Sequence, residues 1–387
     1  MKVKKRVFIQ LDSGRGYSRQ LLKGIYDYNN HISHWGIILQ SAYYQKPEDF
    51  SKVNIDIIKA HRPDGLILSY CSDLEKLLKL NIPIVQTTSL NKNRKIPFVL
   101  GNYDADSKLA IDYFLSIGFS NIGFFGVNNL SWAKGRYGCL KKYTELNKMN
   151  FFVYNHKTNL ENINYSKNLN MLVKWLLQLP KPIGFLACND DFGQVLINAC
   201  LLAKLRVPQD VAVLGVDNDE LICNITYPNM SSISRNLKET AFSLCELLDR
   251  MMDGEKLVNV RVYTQPVEVV VRQSTDTIAS QDGEVIKAIT FIRENVHSKI
   301  TVDDVVQSTF LSKRRLYARF KAVTGHSINR EIQLGKLSRF KQLLRDTQKS
   351  VGEIGYEVGL GDVTHVSRWF ANIEGKSPSV WREENIY

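Results

Sequence analysis

Along the first 270 residues, short continuous apolar runs alternate with longer stretches in which apolar positions recur every three or four residues. The runs KKRVFIQLD, WGIILQS, PDGLILSY and IPIVQTT read as strands, with RQLLKGIYDYNNHI, VNIDIIKAHR and LEKLLKL as helices between them. The scheme then repeats. Helices KLAIDYFLSIG, WAKGRYGCLKKYTELNK, LNMLVKWLLQLP and DFGQVLINACLLAKL alternate with strands NIGFFGV, FFVYNHK, PIGFLACND and VAVLGVDN. Strands with no polar alternation, joined by helices of this length, predict parallel sheets covered on both faces. Two such halves predict an α/β sensor of two Rossmann-like lobes.

The last hundred residues change pattern. Strand-like runs disappear, and one arrangement occurs twice, at 301–325 (TVDDVVQSTFLSKRRLYARFKAVTG) and 350–375 (SVGEIGYEVGLGDVTHVSRWFANIEG). Val302, Val305, Phe310 and Leu311 align with Val351, Ile354, Gly359 and Leu360. After one extra residue in the second turn, Leu316, Phe320 and Gly325 align with Val366, Phe370 and Gly375. Each copy is a short amphipathic helix, a tight turn and a second helix with cations between its core positions. This is the pattern of a helix-turn-helix, whose second helix enters the DNA major groove. The fold class expected is therefore a two-lobed α/β domain followed by an all-α domain with two helix-turn-helix units.

Charge supports that division. The chain carries a net +12, and residues 284–387 hold 17 Lys and Arg against 12 Asp and Glu, about twice the basic excess per residue of the rest. A basic tail fits a polyanionic partner, as would a solvated cationic surface. Six cysteines lie far apart without a C-x-x-C pair, so metal spacing is absent and buried free thiols are expected at Cys188 and Cys200. The apolar stretch of MKVKKRVFIQLD is too short for a signal peptide, and no run is long enough to span a bilayer. The expected location is the cytoplasm.

In open parallel sheets, ligands bind beyond the carboxyl ends of the strands. Asp12, Ser13, Gly14 and Tyr17 follow the first strand, and Tyr70, Ser72 and Ser89 follow later ones. The second half offers Asn189 and Asp190, Asp217 and Asn218, and Trp132 with Arg136 near a helix start. Carboxylates, amides, an arginine and flat rings suit a polyhydroxylated ligand. Asp, Asn and Ser after strands also form turns and cap helices, so both roles stand open. No G-x-S-x-G elbow, H-E-x-x-H motif or nucleophile–base pair is present. The expectation is a non-enzyme without cofactor or metal.

The stretch ACNDDFGQVLINACLLAKLRVPQDVAVLGVDNDEL, followed by PNMSSIS, resembles the sensor domain of LacI/GalR regulators. That resemblance implies a periplasmic-binding-protein-like domain of two lobes joined by three crossovers. It places sugar-binding roles on Asp217 and Arg136, with Asn189 and Asp190 at the family's N-D position. From residue 284 the segments SKRRLYARFK, EIGYEVGL and GKSPSVWR resemble the AraC/XylS DNA-binding domain. A LacI-like sensor ahead of an AraC-type tail resembles the XylR-like regulators, as do GYSRQLLKG, WAKGR, GVDNDEL and RQSTD. The expected division is a sensor at 1–271, a linker at 272–283 and a DNA-binding domain at 284–387. Within the sensor, lobe one takes about 5–103 plus 241–271 and lobe two about 104–240.

For the tail, Lys313, Arg314, Tyr317 and Ala318 are expected to face DNA from the first recognition helix. Val363, Thr364, Ser367 and Arg368 are expected to do so from the second. Lys336 stands where the AraC pattern has an arginine and is expected to act as a weaker phosphate clamp. Trp369 and Trp381 fall at core spacing. The resemblance implies an operator duplex, D-xylose as effector, RNA polymerase and a second copy of the chain as partners, no membrane, and activation of pentose genes. A different small molecule, or repression, is the alternative.

Overall fold

The computed structural model describes residues 4–40, 53, 55–69, 71, 74–88, 96–127, 130–154, 165–277, 279–280, 282–360 and 363–385. Side chains are not described at 165–168, 346, 363–364 and 384–385. The chain divides into two units, residues 1–116 with 120–275, and residues 117–119 with 276–387.

The first unit opens with β1 (Arg6–Gln10), α1 (Gly16–Tyr28), β2 (Gly36–Gln40), α2 (Ile55–His61), β3 (Gly65–Leu68) and α3 (Leu74–Leu78). There follow β4 (Ile84–Gln86), β5 (Phe98–Gly101), α4 (Tyr103–Ser116), β6 (Asn121–Phe125), α5 (Ser131–Leu146) and β7 (Asn150–Val153). Next come α6 (Tyr165–Gln178), β8 (Ile183–Ala187), α7 (Asp190–Leu202), β9 (Val211–Val216) and α8 (Glu220–Ile225). The unit closes with β10 (Ser231–Arg235), α9 (Leu237–Met252), β11 (Arg261–Thr264) and β12 (Pro266–Val270).

These strands form two six-stranded sheets, ordered β11-β5-β4-β3-β1-β2 and β12-β10-β9-β8-β6-β7. The first is parallel throughout. In the second, β12 alone runs antiparallel, against β10. The unbroken apolar character of β1 follows from its place between β2 and β3 with both faces covered. Val7 and Ile9 pack with Leu21, Ile25, Leu244 and Leu248 of α1 and α9, while Phe8 packs on the other face with Ile58, Leu66 and Leu77. Phe8 is fully buried, and burial of a side chain of this kind stabilises by about 1.5–3 kcal/mol.

The chain passes between the sheets three times, at Asn102, Asn236 and Gln265. The crossings are tied together: Asn102 Nδ2 donates to Gln265 Oε1 at 2.7 Å, and the Gln265 amide donates to Asn236 Oδ1 at 2.6 Å. The third crossing corrects the expected lobe boundary. β11 joins the first sheet, but β12 comes back to the second, because Ser232 and Ile233 pair with Val270 and Val269 there. The expected linker is shorter too. Arg272 to Thr275 stay bonded to lobe two, Ser274 Oγ donating to the Val213 carbonyl and Thr275 Oγ1 lying 2.7 Å from Ser231 Oγ.

The second unit holds α10 (Gly283–Glu294), α11 (Val302–Gln307), α12 (Lys313–Thr324), α13 (Ile328–Asp346), α14 (Val351–Glu357), α15 (Val363–Glu374) and α16 (Pro378–Asn385). The sequence repeat is a structural repeat. Thr301 with Asp304, and Ser350 with Glu353, form capping boxes at the starts of α11 and α14. Gly325 and Gly375 follow α12 and α15 at φ 76° and 75°, the left-handed conformation that ends a helix most readily with glycine. Two cores result. Val305, Leu316 and Phe320 pack with α10 and Ile328 and Ile332 of α13, whereas Ile354, Val366 and Phe370 pack with Phe340 and Leu344 further along α13.

The repeat breaks at one aligned pair. Phe310 is 91% exposed, and Gly359 has φ 64° with its missing Cβ directed at the Ser298 backbone. That position is a turn rather than a core position, so an apolar side chain in the first copy and none in the second are both tolerated.

Candidate functional site

Where the strands of the two lobes end, charged side chains are buried together. Arg136, in α5, has a 3% exposed side chain and donates from Nε to Asp106 Oδ2 at 3.2 Å. It also donates to the Cys188 carbonyl at the end of β8, and its Nη2 lies 3.7 Å from Asp217 Oδ1. Arg235, the last residue of β10, reaches the same carboxylates, at 3.5 Å from Asp217 and 3.6 Å from Asp106. Two guanidinium groups thus face two carboxylates in a region closed to solvent, with balanced charge. The Arg136 guanidinium lies over the rings of Tyr103 at 5.7 Å and Trp132 at 5.6 Å.

Asp190 sits beside them with a different character. It accepts from the Asp219 amide and the Ser232 hydroxyl, both at 2.6 Å. Burial, and then the nearby Asp217 charge, push its carboxyl well above the usual carboxylate range. The structure therefore raises the proton affinity of Asp190, whose two oxygens hold the Asp219 amide and the Ser232 hydroxyl. Above about pH 4 the folded chain keeps a proton that the unfolded chain has lost, so this group's contribution to stability falls as pH rises. Asp190→Asn is expected to raise stability at neutral pH and to flatten its decline between mildly acidic and neutral pH. Urea unfolding across that range checks this, and a variant with the wild-type pH slope would refute the raised proton affinity of Asp190.

Four buried polar atoms in this region have no hydrogen-bond partner among the described residues: Asp106 Oδ1, Asp217 Oδ1, Arg235 Nε and Thr264 Oγ1. Buried polar groups in folded proteins are nearly always paired, so a cluster of four marks a place that awaits polar contacts. Asp217 adds a second sign. Its φ is 98°, a left-handed conformation that side chains other than glycine rarely adopt and that concentrates at ligand sites.

The sequence-expected residues fall into two groups. Tyr17, Trp132, Arg136, Asp190 and Asp217 come together: the Tyr17 phenol donates to the Thr87 carbonyl at 2.9 Å, and the charges of Arg235 and Asp217 act on it. The polar atoms of the other three are engaged within the chain. Asp12 accepts from the Gly14 amide and pairs with Arg15 at 2.9 Å. Asn189 caps α7 by accepting from the Phe192 amide, and Asn218 Oδ1 accepts from Arg272 at 3.0 Å. Asp12 and Asn189 thus serve as a turn former and a helix cap, and Asn218 joins the loop to Arg272. Tyr70, Ser72 and Ser89 lie outside the described residues.

Sequence reasoning missed Asp106, Arg235, Tyr103 and Thr264. Arg235 directly follows the SSIS strand, so the strand-end rule that found Asp217 would have found it. Asp106 stands in the first turn of α4, where an acidic residue reads as ordinary helix-end charge. The cleft is also bridged. Gln20 of α1 donates to the Asp217 carbonyl at 2.8 Å, and Arg19 pairs with Asp219.

In the second unit, Lys313, Arg314, Tyr317 and Ala318 are exposed on α12 while Leu316 and Phe320 are buried. Lys313 is held by Asp303 at 2.6 Å, whereas Arg314 has no ion pair or hydrogen bond among the described residues. On α15, Arg368 is exposed and Ser367 half-buried, with Val366 and Phe370 inward; the side chains of Val363 and Thr364 are outside the described set. Trp369 donates to Gln333 Oε1 at 2.6 Å, and Trp381 is buried against Phe370, so both are core residues.

Lys336 departs from its expected role. It is 5% exposed, and its ammonium donates to the Gly359 carbonyl at 2.9 Å, so it ties α13 to the turn after α14 instead of facing a phosphate. Cys188 and Cys200 are buried free thiols, each pushed up to about 12 by burial. Among the described residues no group of metal-ligating side chains occurs, and no helix is long and apolar enough to cross a membrane.

Comparison with known proteins agrees with both halves. Residues 111–275 match the family model of a periplasmic binding protein-like domain, and residues 305–384 that of a helix-turn-helix domain. The chain is 28% identical over 393 residues to the xylose operon regulatory protein of Escherichia coli K12, covering 98% of this chain and 97% of that protein. The Haemophilus influenzae protein of the same name is 26% identical over 357 residues, covering 90% of each. A solved structure of the xylose-binding transcription activator xylR superposes with a TM-score of 0.70 at 23% identity over 100% of both chains, a likeness of fold. A periplasmic binding protein/LacI regulator from Alkaliphilus metalliredigens, complexed with D-xylulofuranose, covers 70% of this chain and 99% of its own, with a TM-score of 0.55 at 17% identity.

Proposed function

We propose that this chain, which belongs to the XylR-like transcription regulators, binds D-xylose in its interlobe cleft and activates pentose-utilisation genes from an operator. The observation that carries the reading is the set of four buried polar atoms without a hydrogen-bond partner among the described residues. Two are carboxylate oxygens, which accept from ligand hydroxyls; one is a guanidinium N–H, which donates; the threonine hydroxyl does either. The two guanidinium groups and two carboxylates balance. A neutral polyol therefore enters without leaving net charge buried, whereas a sugar acid would bring an uncompensated one. Trp132 and Tyr103 supply the flat faces on which a sugar ring packs. D-xylose is chosen within this class because the relatives are xylose regulators by name.

The tail carries the rest. Exposed Arg314 and Arg368 lie on the second helices of two helix-turn-helix units sharing α13, an arrangement that meets successive stretches of one duplex. The assembly we favour is a cytoplasmic homodimer on a two-fold operator, acting through RNA polymerase. Thermal-shift and calorimetric titration with D-xylose, L-arabinose, D-glucose and D-galacturonate test the cleft. At 100 times its dissociation constant, D-xylose should stabilise the sensor by about 2.7 kcal/mol, and Asp217→Ala should abolish the shift. A response to the uronate with none to neutral sugars would replace the ligand class, and a reporter falling with xylose would make the protein a repressor.

A further inference from the structure

The Asp217–Asp219 loop is held in its conformation by bonds from several elements, and one of them leads to the sensor's exit. Both Asp217 (φ 98°) and Asn218 (φ 49°) are left-handed, a state that persists only where neighbours impose it. The Asp217 amide donates to the Ile233 carbonyl at 3.0 Å and the Asn218 amide to Ser232 Oγ at 3.0 Å. Asn218 Oδ1 accepts from Arg272 Nη1 at 3.0 Å. Arg272 is itself fixed from three sides. Its Nε donates to Asn224 Oδ1 at 3.0 Å, its Nη1 also to the Met230 carbonyl at 3.1 Å, and its amide to Ser231 Oγ at 2.7 Å.

The place of Arg272 in the chain gives this geometry its meaning. Directly after it, Gln273–Thr275 form a single 3-10 turn, and Thr275 is the last residue of the sensor unit. The turn is anchored by the Ser274 amide donating to the Asn229 carbonyl at 2.9 Å and by Ser274 Oγ donating to the Val213 carbonyl. Val213 lies on β9, the strand that ends in the loop. From the loop itself to the sensor's exit, the most direct side-chain route is the Arg272–Asn218 hydrogen bond followed by one turn of backbone.

We propose that Arg272 is a positioning residue that couples the ligand loop to the segment leaving the sensor. The proposal rests on the sugar-responsive reading above. A ligand that draws the Asp217 carboxylate together with its left-handed backbone changes the torsions of Asp217 and Asn218. Asn218 Oδ1 then moves against a guanidinium held by Asn224 and Met230. The bond either carries the movement into Gln273–Thr275 or breaks and releases that turn. Both outcomes give the sensor's exit two states whose balance the ligand sets, which is what coupling between sites requires.

The test uses the full chain, D-xylose, and a duplex enriched from a random pool by the chain itself. Duplex dissociation constants are measured with and without saturating D-xylose for wild type, Arg272→Ala and Arg272→Lys. Wild type should show a ratio in the usual range of about 5–150-fold, and Arg272→Ala should bring it to within about twofold of one. Its D-xylose affinity without DNA should stay within about threefold of wild type, because Arg272 is not placed against the sugar. Arg272→Lys, which keeps charge but loses the fork, should retain part of the ratio. A wild-type ratio in a natively folded Arg272→Ala overturns the proposal, and if that variant does not fold, an unchanged ratio in Arg272→Lys does so.

Should wild type itself show no response to D-xylose, the sugar reading falls, and hydrogen exchange of the ligand-free chain decides the coupling separately. Loss of the Arg272 side chain should then raise exchange at 217–219 together with Ser274. A rise at Ser274 alone overturns the link.

Discussion

Replacing Arg136 with methionine is expected to destabilise the sensor unit by about 3–5 kcal/mol, the cost of removing one member of a buried ion pair. Methionine preserves most of the packing volume of the stem, so the loss measures charge. Asp106 has no solvent exposure and Asp217 little, and both would lose the guanidinium that faces them. Arg235 remains within 3.6 Å of both carboxylates, which argues for the lower half of the range. The origin of the cost is separable. If it is an uncompensated carboxylate, Asp106→Asn in the Arg136→Met background should recover most of it, because a neutral amide needs no counter-charge. Arg136→Lys should fall between, since an ammonium cannot reach Asp106 and the Cys188 carbonyl with a planar fork. Chemical unfolding of the full chain, followed by the sensor transition, distinguishes the three. A single variant within 1 kcal/mol of wild type, a small surface-like effect, would show that the carboxylates do not depend on Arg136. The sugar-induced shift should vanish in Arg136→Met in any case, because Asp217 loses a neighbour that orients it.

The alternation of apolar runs and periodic stretches made both lobes legible, because β1, β3, β8 and β9 are buried on both faces and leave no polar break. Asp217 and Arg136 were legible by their positions after a strand and early in a helix. What stayed hidden depends on the crossings. Asp106 and Arg235 become cleft residues because the chain passes between sheets at Asn102 and Asn236, and a local pattern carries no trace of which sheet a strand joins. The return of β12 to the second sheet was missed for the same reason. Asp190 was found in place but not in character, since its raised proton affinity follows from burial beside Asp217 rather than from its neighbours in sequence. Lys336 is the converse case. A cation on a helix of a DNA-binding unit reads as a phosphate contact until the Gly359 carbonyl is seen to be its partner.

Within α12 the structure separates cations that look alike in sequence, and this sets the expected result of an alanine series on DNA binding. Arg314 is exposed with no partner among the described residues, whereas Lys313 is paired with Asp303 and Arg319 makes two 2.6 Å bonds to Asp282. Arg314, like its exposed neighbour Arg315, has no partner among the described residues and can commit its whole fork to DNA. Arg314 stands nearer the start of the helix, where side chains reach base edges. Arg314→Ala should therefore weaken binding to the enriched duplex by about 1–3 kcal/mol, roughly 5–150-fold, and relax the preference at one base pair. Lys313→Ala should act weakly and evenly across duplexes, because Asp303 already competes for its ammonium. Arg319→Ala should loosen the start of α10, which Asp282 caps, before it affects base preference. Arg368, exposed on α15 at the position that Ala318 holds in the first copy, should weaken binding at a distinct base pair when replaced by alanine. Anisotropy titrations over single-base variants, at two salt concentrations, read all four. If Arg314→Ala instead weakens every duplex alike and lowers the salt slope by about 0.9, the residue neutralises a phosphate and α12 reads its site by other side chains.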